Sequence, residues 1–408
     1  MSIVKPFQAL RPRSEFAERV SCVPYDVVDL AEARAVAQSN AVSFLHVTRP
    51  EVDVEQPEST SHRDIMTVAE RNLQKFIADG ALIRETEDAL YVYRQNFNGH
   101  TQTGVVGCCA VDEYDSGLIK KHENTRPDKV EDRTEHMLKI RAHTGLIFLA
   151  YRGSDSIDKL VNETLQSPPL YDFKCPAGVQ NTIWKAVDPA ALEAAFAEVS
   201  ALYIADGHHR AESASHTRAA LKNQNPNHTG NEAYNFFIAA MFPAEQLRIL
   251  PYNRAVKDLN GLSEADFLAS VGENFVVSEA SDPQPKERGE ICMYLGGKWH
   301  HLRFSVNFFA DPGLIASLDA SILQDYILAP ALGITDARTD TRISFVGGAL
   351  GTKELERLVD SGEAAVAFSM FPTSMTDLLA VSDLGEVMPP KTTWFEPKLR
   401  DGLLIHLI

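Results

Sequence analysis

Two kinds of apolar spacing alternate irregularly along the chain. Ile65, Val68, Ala69, Leu73, Phe76 and Ile77 recur at helical spacing between Asp64 and Asp79, and Gly80 ends the run. Ala89–Gln95 and Thr103–Ala110 read instead as strands, and Asn98-Gly99 between them is a strong hairpin signal. Ile3–Pro12 alternates like a strand and stops at its last proline. Asp29 with Glu32 three residues on forms a capping-box pattern for a helix through about Gln38. Ser43–Val47 reads as a half-buried strand and Thr144–Tyr151 as a buried one. Asp188-Pro189 is an N-cap followed by proline at the first helical position, opening an alanine-rich helix to about Ser200. Leu202–Ala205 is a short buried strand, and Asn235–Phe242 and Leu250–Val256 follow as strands.

From Ser263 the character changes. A helix over Glu264–Asn274 leads through a Pro/Asp/Glu-rich stretch to a hairpin turning at Gly296-Gly297. Asp319 is expected to cap an apolar helix to Leu328. Met388–Leu399 carries too many prolines for regular structure and reads as a folded clasp or as part of a site. Strands and helices mix without strict alternation, which predicts an α+β (mixed α/β) fold of mixed sheets with flanking helices. The expected domains are 1–260 and a smaller α+β domain, 261–408.

Composition narrows the function classes. Across 408 residues, 44% are hydrophobic and 23% charged, ordinary for a soluble globular protein. The net charge of −17 argues against a nucleic-acid surface, which needs a clustered positive field. A small anionic ligand stays open, because a few basic residues can converge in one pocket. The five cysteines have no metal-type spacing, and no apolar run reaches the length of a membrane span. The expectation is a cytoplasmic protein with buried thiols and neither DNA nor membrane as partner; a homodimer is left open.

The candidate chemistry centres on Asp206-Gly207-His208-His209-Arg210, between the strand Leu202–Ala205 and a small-residue helix. A glycine at such a turn lets the backbone approach a ligand closely. The first N–H groups of a helix lack acceptors within it and carry the positive end of its dipole. His208, His209 and Arg210 add two titratable donors and a fixed cation to that anion site. Asp206 could hold a metal ion or take a proton; the plainer alternative is a polar turn whose Arg210 pairs with a nearby carboxylate. A second polar stretch, Ile119–Arg133, mixes both charge signs. Arg126 and Lys129 there are candidate phosphate ligands, and Glu123 and Asp128 candidate bases. The plainer alternative is a solvated charged helix. His122, His136 and His143 match no standard zinc spacing. Arg11, after an apolar run and before Pro12, is a further candidate phosphate ligand.

The segments Phe7–Pro12, Pro24-Tyr25-Asp26, Ser43–Glu51, His122–Arg133, Tyr203–Ala214, Leu250–Arg254 and Met388–Leu399 together resemble a large uncharacterised bacterial family commonly described as SpoOJ/ParA/ParB/RepB-like. Asp206, Gly207, His208 and Arg210 also resemble the Asp-Gly-His-x-Arg phosphate turn of free serine kinases in the ParB/sulfiredoxin superfamily. That resemblance implies a ParB/sulfiredoxin-like nucleotide-binding core, with Gly207 to Arg210 on nucleotide phosphates and Asp206 helping with Mg2+ or the acceptor hydroxyl. No cysteine stands in the loop, against sulfinic-acid reduction. The acidic charge and the lack of a basic helix-turn-helix argue against DNA partitioning.

The expected function is therefore a nucleotide-dependent small-molecule phosphotransferase, a kinase using ATP or ADP and Mg2+ on free serine or a similar hydroxyl compound. Two alternatives stay open: a nucleotide-binding switch or slow nucleotidase, and a phosphatase acting on phosphoserine-like compounds.

Overall fold

Asn98 and Gly99 both take positive φ, 50° and 77°, the backbone a two-residue hairpin turn requires. They join Tyr91–Phe97 to His100–Ala110 in register from Tyr91 opposite Val106 to Phe97 opposite His100. The structure, a computed structural model, describes residues 2–305 and 313–408. These residues form two compact units: Met1–Lys121 with Thr125–Leu247 and Pro397–Ile408, and His122–Asn124 with Arg248–Glu396. The division into domains 1–260 and 261–408 concerns independent folding and stands beside these units as a proposal.

The first unit is built on a mixed sheet. Its strands run in the order Ile119–Lys120, Leu202–Asp206, Ile147–Tyr151, Phe236–Pro243, His100–Ala110, Tyr91–Phe97, Gln180–Lys185 and Tyr171–Lys174, and Val4–Lys5 also pairs with His100–Ala110. Leu202–Asp206 is parallel to Ile119–Lys120 and antiparallel to Ile147–Tyr151. Phe236–Pro243 and Ile147–Tyr151 are buried nearly throughout, as central strands covered on both faces must be. Helices Asp155–Thr164, Pro189–Ala197 and His208–Gln224 flank the sheet, and their Ile157, Leu192, Phe196 and Ala211 join its core. The second unit has an antiparallel six-stranded sheet, Phe275–Glu279, Lys298–Phe304, Glu290–Leu295, Val366–Met370, Tyr252–Val256 and Ile343–Gly347, with helices such as Glu264–Val271 and Gly351–Asp360. The fold is mixed α+β.

Local signals set several elements as expected. The Asp29/Glu32 capping box is formed in full, and the Asp188 carboxylate accepts from Ala191 N–H ahead of Pro189. All five cysteines are buried and free. No helix among the described residues is long and apolar enough to cross a membrane.

Two expectations are corrected. Residues of the expected strand Ser43–Val47 are helical over Leu45–Thr48. The backbone carbonyls of Val47 and Thr48 are taken by His136 Nε2, at 2.8 Å, and Arg133 Nη1, at 3.2 Å. Those bonds come from the helix Pro127–Ile140 and so lie outside any local pattern. Asp319 is inside its helix, not its cap; the preceding Leu318 is the N-cap and offers no side-chain bond. The Asp319 carboxylate instead accepts from Gly289 N–H at 2.7 Å, and the helix gives way to a π-helical turn, Gln324–Leu328.

Two of the three histidines weighed for zinc, His136 and His143, have other duties. His136 is buried and donates to Val47 O, and His143 is buried and stacked on His406 with centroids 5.9 Å apart. Burial holds both pKa values down to about 3. A depressed histidine contributes stability above its ordinary value near 6.5 and loses it as pH falls toward the folded value near 3. In that window His143 should steepen acid destabilisation by about 1.4 kcal/mol per pH unit. His143→Phe should flatten the slope by that amount in denaturation measured across a pH series; an unchanged slope would refute the buried neutral imidazole.

Candidate functional site

The turn Asp206–Arg210 closes on itself around one guanidinium. Leu202–Asp206 ends beside Phe148 with a register irregularity after Ile204, and Gly207 turns the chain with φ 95°. A 17-residue helix, His208–Gln224, starts at once. Intrahelical bonding begins with Ala211 N–H on Gly207 O at 3.0 Å, so the N–H groups of residues 208–210 have no acceptor within the helix. Arg210 is buried. Its Nη1 donates to Leu146 O at 2.5 Å and its Nη2 to Asp206 Oδ2 at 3.4 Å. A Cβ on Gly207 would stand 3.0 Å from both Nε and Nη2 of Arg210. The glycine is therefore required twice, by its left-handed backbone and by the guanidinium folded under it.

Charge is layered around this turn. Lys398 Nζ lies 3.5 Å from Asp206 Oδ2, so that carboxylate meets a second cation. Lys398 is anchored through its carbonyl, which accepts from Gln95 Nε2 at 2.9 Å. Burial by itself lowers the Arg210 pKa; the carboxylates of Asp206, Asp401 and Asp26 more than offset this and hold it above its ordinary value. Asp401 is 2% exposed, and its Oδ1 has no hydrogen-bond partner among the described residues. That oxygen and Arg210 Nη1 both crowd Gly145, lying 2.9 and 3.1 Å from where a Cβ would sit. Burial pushes Asp401 up to about 7, against the lowering pull of Arg210. Lys398 falls in Met388–Leu399, the segment with two lysines and Trp394 that reads in sequence as a folded clasp or part of a site, whereas Asp401 just beyond it carries no sequence signal; both stand nearly two hundred residues from the loop.

The other predicted residues are placed as follows. His209 joins the turn to the charged stretch, its Nε2 accepting from Arg126 N–H at 3.0 Å. Arg126 caps the helix Pro127–Ile140, but its exposed side chain folds onto Asp128, Nη2 to Oδ2 at 2.9 Å. That bond holds the Asp128 carboxyl below its ordinary range, which makes it a weak base. Lys129 is exposed in the same turn. Arg11 is held by Glu85 at 2.5 Å and by Tyr171 Oη at 3.1 Å. Tyr171 lies in the edge strand, six places along the sheet from Leu202–Asp206, so this engagement is apart from the turn. Glu123 belongs to the second unit. There the neighbouring His122 accepts from Met388 N–H through its carbonyl, at 2.8 Å, and its Nε2 is 3.1 Å from Thr393 Oγ1.

A cavity of about 460 Å³ opens one helical turn beyond His208. Glu212, Glu131, Glu135, Thr125, Thr134 and His216 contribute to its wall. Thr125 Oγ1 donates to Glu212 Oε2, and Glu135 also meets His62 at 3.0 Å. The lining favours a cationic group over an anionic one.

The fold is that of a mixed α+β protein with a glycine turn and a buried arginine between a strand and a helix. The chain belongs to the family described as "Protein of unknown function (DUF1015)", whose pattern matches residues 4–321. That match carries no description of the SpoOJ/ParA/ParB/RepB kind. No curated protein matches the chain. Among solved structures it is similar to a free serine kinase in complex with AMP, 14% identical over 72% of this chain and 86% of that one, TM-score 0.35. It is also similar to a conserved hypothetical protein from Pyrococcus furiosus, 15% identical over 74% and 95% of the two chains, TM-score 0.36. A third is C-terminally truncated SbnI from Staphylococcus aureus, 13% identical over 74% and 87%, TM-score 0.39.

Gly207→Ala tests the turn. A non-glycine residue in left-handed backbone costs about 1–2 kcal/mol, and the added methyl displaces Arg210. The variant should melt several degrees lower than the parent in calorimetry; an unshifted melt would show that the turn tolerates a Cβ.

Proposed function

We propose that the first unit is a nucleotide-dependent phosphotransferase acting on a small alcohol, in the manner of a free serine kinase. The observation that carries this reading is the buried Arg210, held by Leu146 O and Asp206 beneath the Gly207 turn at the start of a long helix. Phosphoryl transfer needs positioned positive charge more than covalent chemistry. Here the guanidinium is pre-oriented, so little side-chain entropy is lost when a phosphate arrives. Lys398 adds a second cation on the same carboxylate.

Asp206 is the carboxylate that would hold Mg2+. One carboxylate with phosphate and water completing the shell suits that ion, and Asp206 is the acid at the loop itself. When bound, Mg2+ would neutralise charge on the transferred phosphoryl group. Gly207 would let the nucleotide phosphates approach the backbone, and His208 and His209 would flank them. Asp401, titrating near 7 beside Arg210, is suited to exchange a proton at neutral pH. Its position makes it a better candidate than Asp128, whose charge is already committed to Arg126. The acidic cavity beyond Glu212 suits an acceptor bearing an ammonium group, as an amino alcohol such as serine does.

The test is direct. Purified protein with Mg2+ and ATP or ADP, offered free serine and a panel of hydroxy compounds, should yield a phosphomonoester visible by phosphorus NMR. Arg210→Ala should lower kcat/KM by about 10²-fold or more while the circular dichroism spectrum stays native. Absence of both transfer and nucleotide binding in the parent would overturn the reading. Binding or hydrolysis without an acceptor would instead favour the switch or slow nucleotidase, and phosphate release from phosphoserine without nucleotide the phosphatase.

A further inference from the structure

Arg254 lies in the middle strand segment Tyr252–Val256 of the second unit and is 4% exposed. The other deeply buried arginines have a carboxylate beside them, Asp132 for Arg133 at 2.6 Å and Asp206 for Arg210 at 3.4 Å. Arg254 has none within ion-pair distance among the described residues. Its side-chain bonds go to two carbonyls, Tyr252 O and, at 3.2 Å, Lys391 O. A guanidinium carries five N–H donors, so part of the fork faces no acceptor among the described residues. Buried charges are ordinarily paired, because an isolated one forfeits its hydration without return. Burial accordingly draws the Arg254 pKa down to about 10.

The surroundings are those of a recognition site more than of a core. The guanidinium lies 5.5 Å from the centroid of the Phe345 ring. Tyr252 and Trp394 meet edge to face at 5.3 Å, and Trp394 is locked by its Nε1–H on Glu396 Oε2 at 3.0 Å. Lys391 brings a second cation, its Nζ 5.8 Å from the Tyr252 ring centroid. It does so from a left-handed backbone, φ 56°, a conformation that side-chain-bearing residues adopt at some energetic cost. The 388–396 segment thus gives this place both a carbonyl and a cation.

We propose that Arg254 and Lys391 form an oxyanion-binding site in the second unit, which takes the phosphate or carboxylate group of a small molecule beside the Tyr252, Phe345 and Trp394 rings. The anion supplies the missing counter-charge and the acceptors that the fork lacks. The site is independent of the Arg210 turn and of any reaction there.

Titration calorimetry and thermal melts on the full chain, with inorganic phosphate and with succinate, test it in the Arg210→Ala background, which removes the principal cation of the other loop. A melting temperature that rises by several degrees with one anion is expected, and the responding anion identifies the group. Adding Arg254→Met should abolish the rise, while Arg254→Lys should retain part of it. Without added anion, Arg254→Met should melt no lower than its parent, since an unpaired buried charge has been removed. No anion response in Arg210→Ala, or an equal response with Arg254→Met, overturns the site. A lower melt with Arg254→Met and an unchanged response would make Arg254 a tie between strand and clasp. If the double variant does not fold, Arg254→Met alone is titrated against the natural chain: one fewer phosphate or succinate bound supports the site, equal stoichiometry and affinity refute it.

Discussion

A guanidinium removed from water must find acceptors and counter-charge, and the way Arg210 finds them organises the first unit. Its acceptors come from the entry to one central strand, at Leu146, and from the end of the neighbouring strand, at Asp206. Those two places are adjacent because Leu202–Asp206 and Ile147–Tyr151 run antiparallel. Gly207 suits glycine because its backbone is left-handed, φ 95°, and the guanidinium lies only 3.0 Å from where a Cβ would stand. Strand pairing, turn and helix start converge on the seat of one cation.

The last residues of the chain complete that arrangement. Pro397–Ile408 belongs to the first unit and delivers Lys398 to Asp206 and the Asp401 carboxyl toward Arg210. It is held by strand-like pairing of His406-Leu407 with Ala142–His143 and by bridges from Cys22 to Asp401 and from Leu10 to Ile405. With two carboxylates and two cations sharing one buried region, the charge state of each depends on the others. A phosphate entering there would meet a field assembled from three separate parts of the chain.

The second unit shows a contrasting case, a buried cation with no carboxylate within ion-pair distance among the described residues. The described contacts of Arg254 are carbonyls and a ring, an arrangement that costs stability unless something else supplies the charge. In the first unit the buried Arg133 and Arg210 each have a carboxylate within ion-pair distance. These are two different electrostatic solutions within one chain.

Much of this was legible along the chain, because it depends on neighbours in sequence. Asn98-Gly99 made its hairpin, Asp29 and Glu32 made their capping box, and Asp206–Arg210 stands between strand and helix as its residue types required. Ser43–Val47 misled because so short an apolar run is ambiguous between strand and helix: its backbone bonds are helical and local, such as Arg49 N–H on Leu45 O, and Arg133 and His136 take the carbonyls left at its end. Asp319 misled because its carboxylate is claimed by Gly289 N–H rather than by its own helix. Arg11 and Asp128 carry the right chemistry for a phosphate site, yet each is engaged by a partner, Glu85 or Arg126, that only the folded chain selects. Local sequence determined the turns, the caps and the existence of the loop, since each is governed by backbone conformation within a few residues. Tertiary structure decided which charges meet: it buried Arg210 and Asp401 together and gave Arg254 carbonyl acceptors at Tyr252 and Lys391, because burial and pairing are set by packing between distant segments.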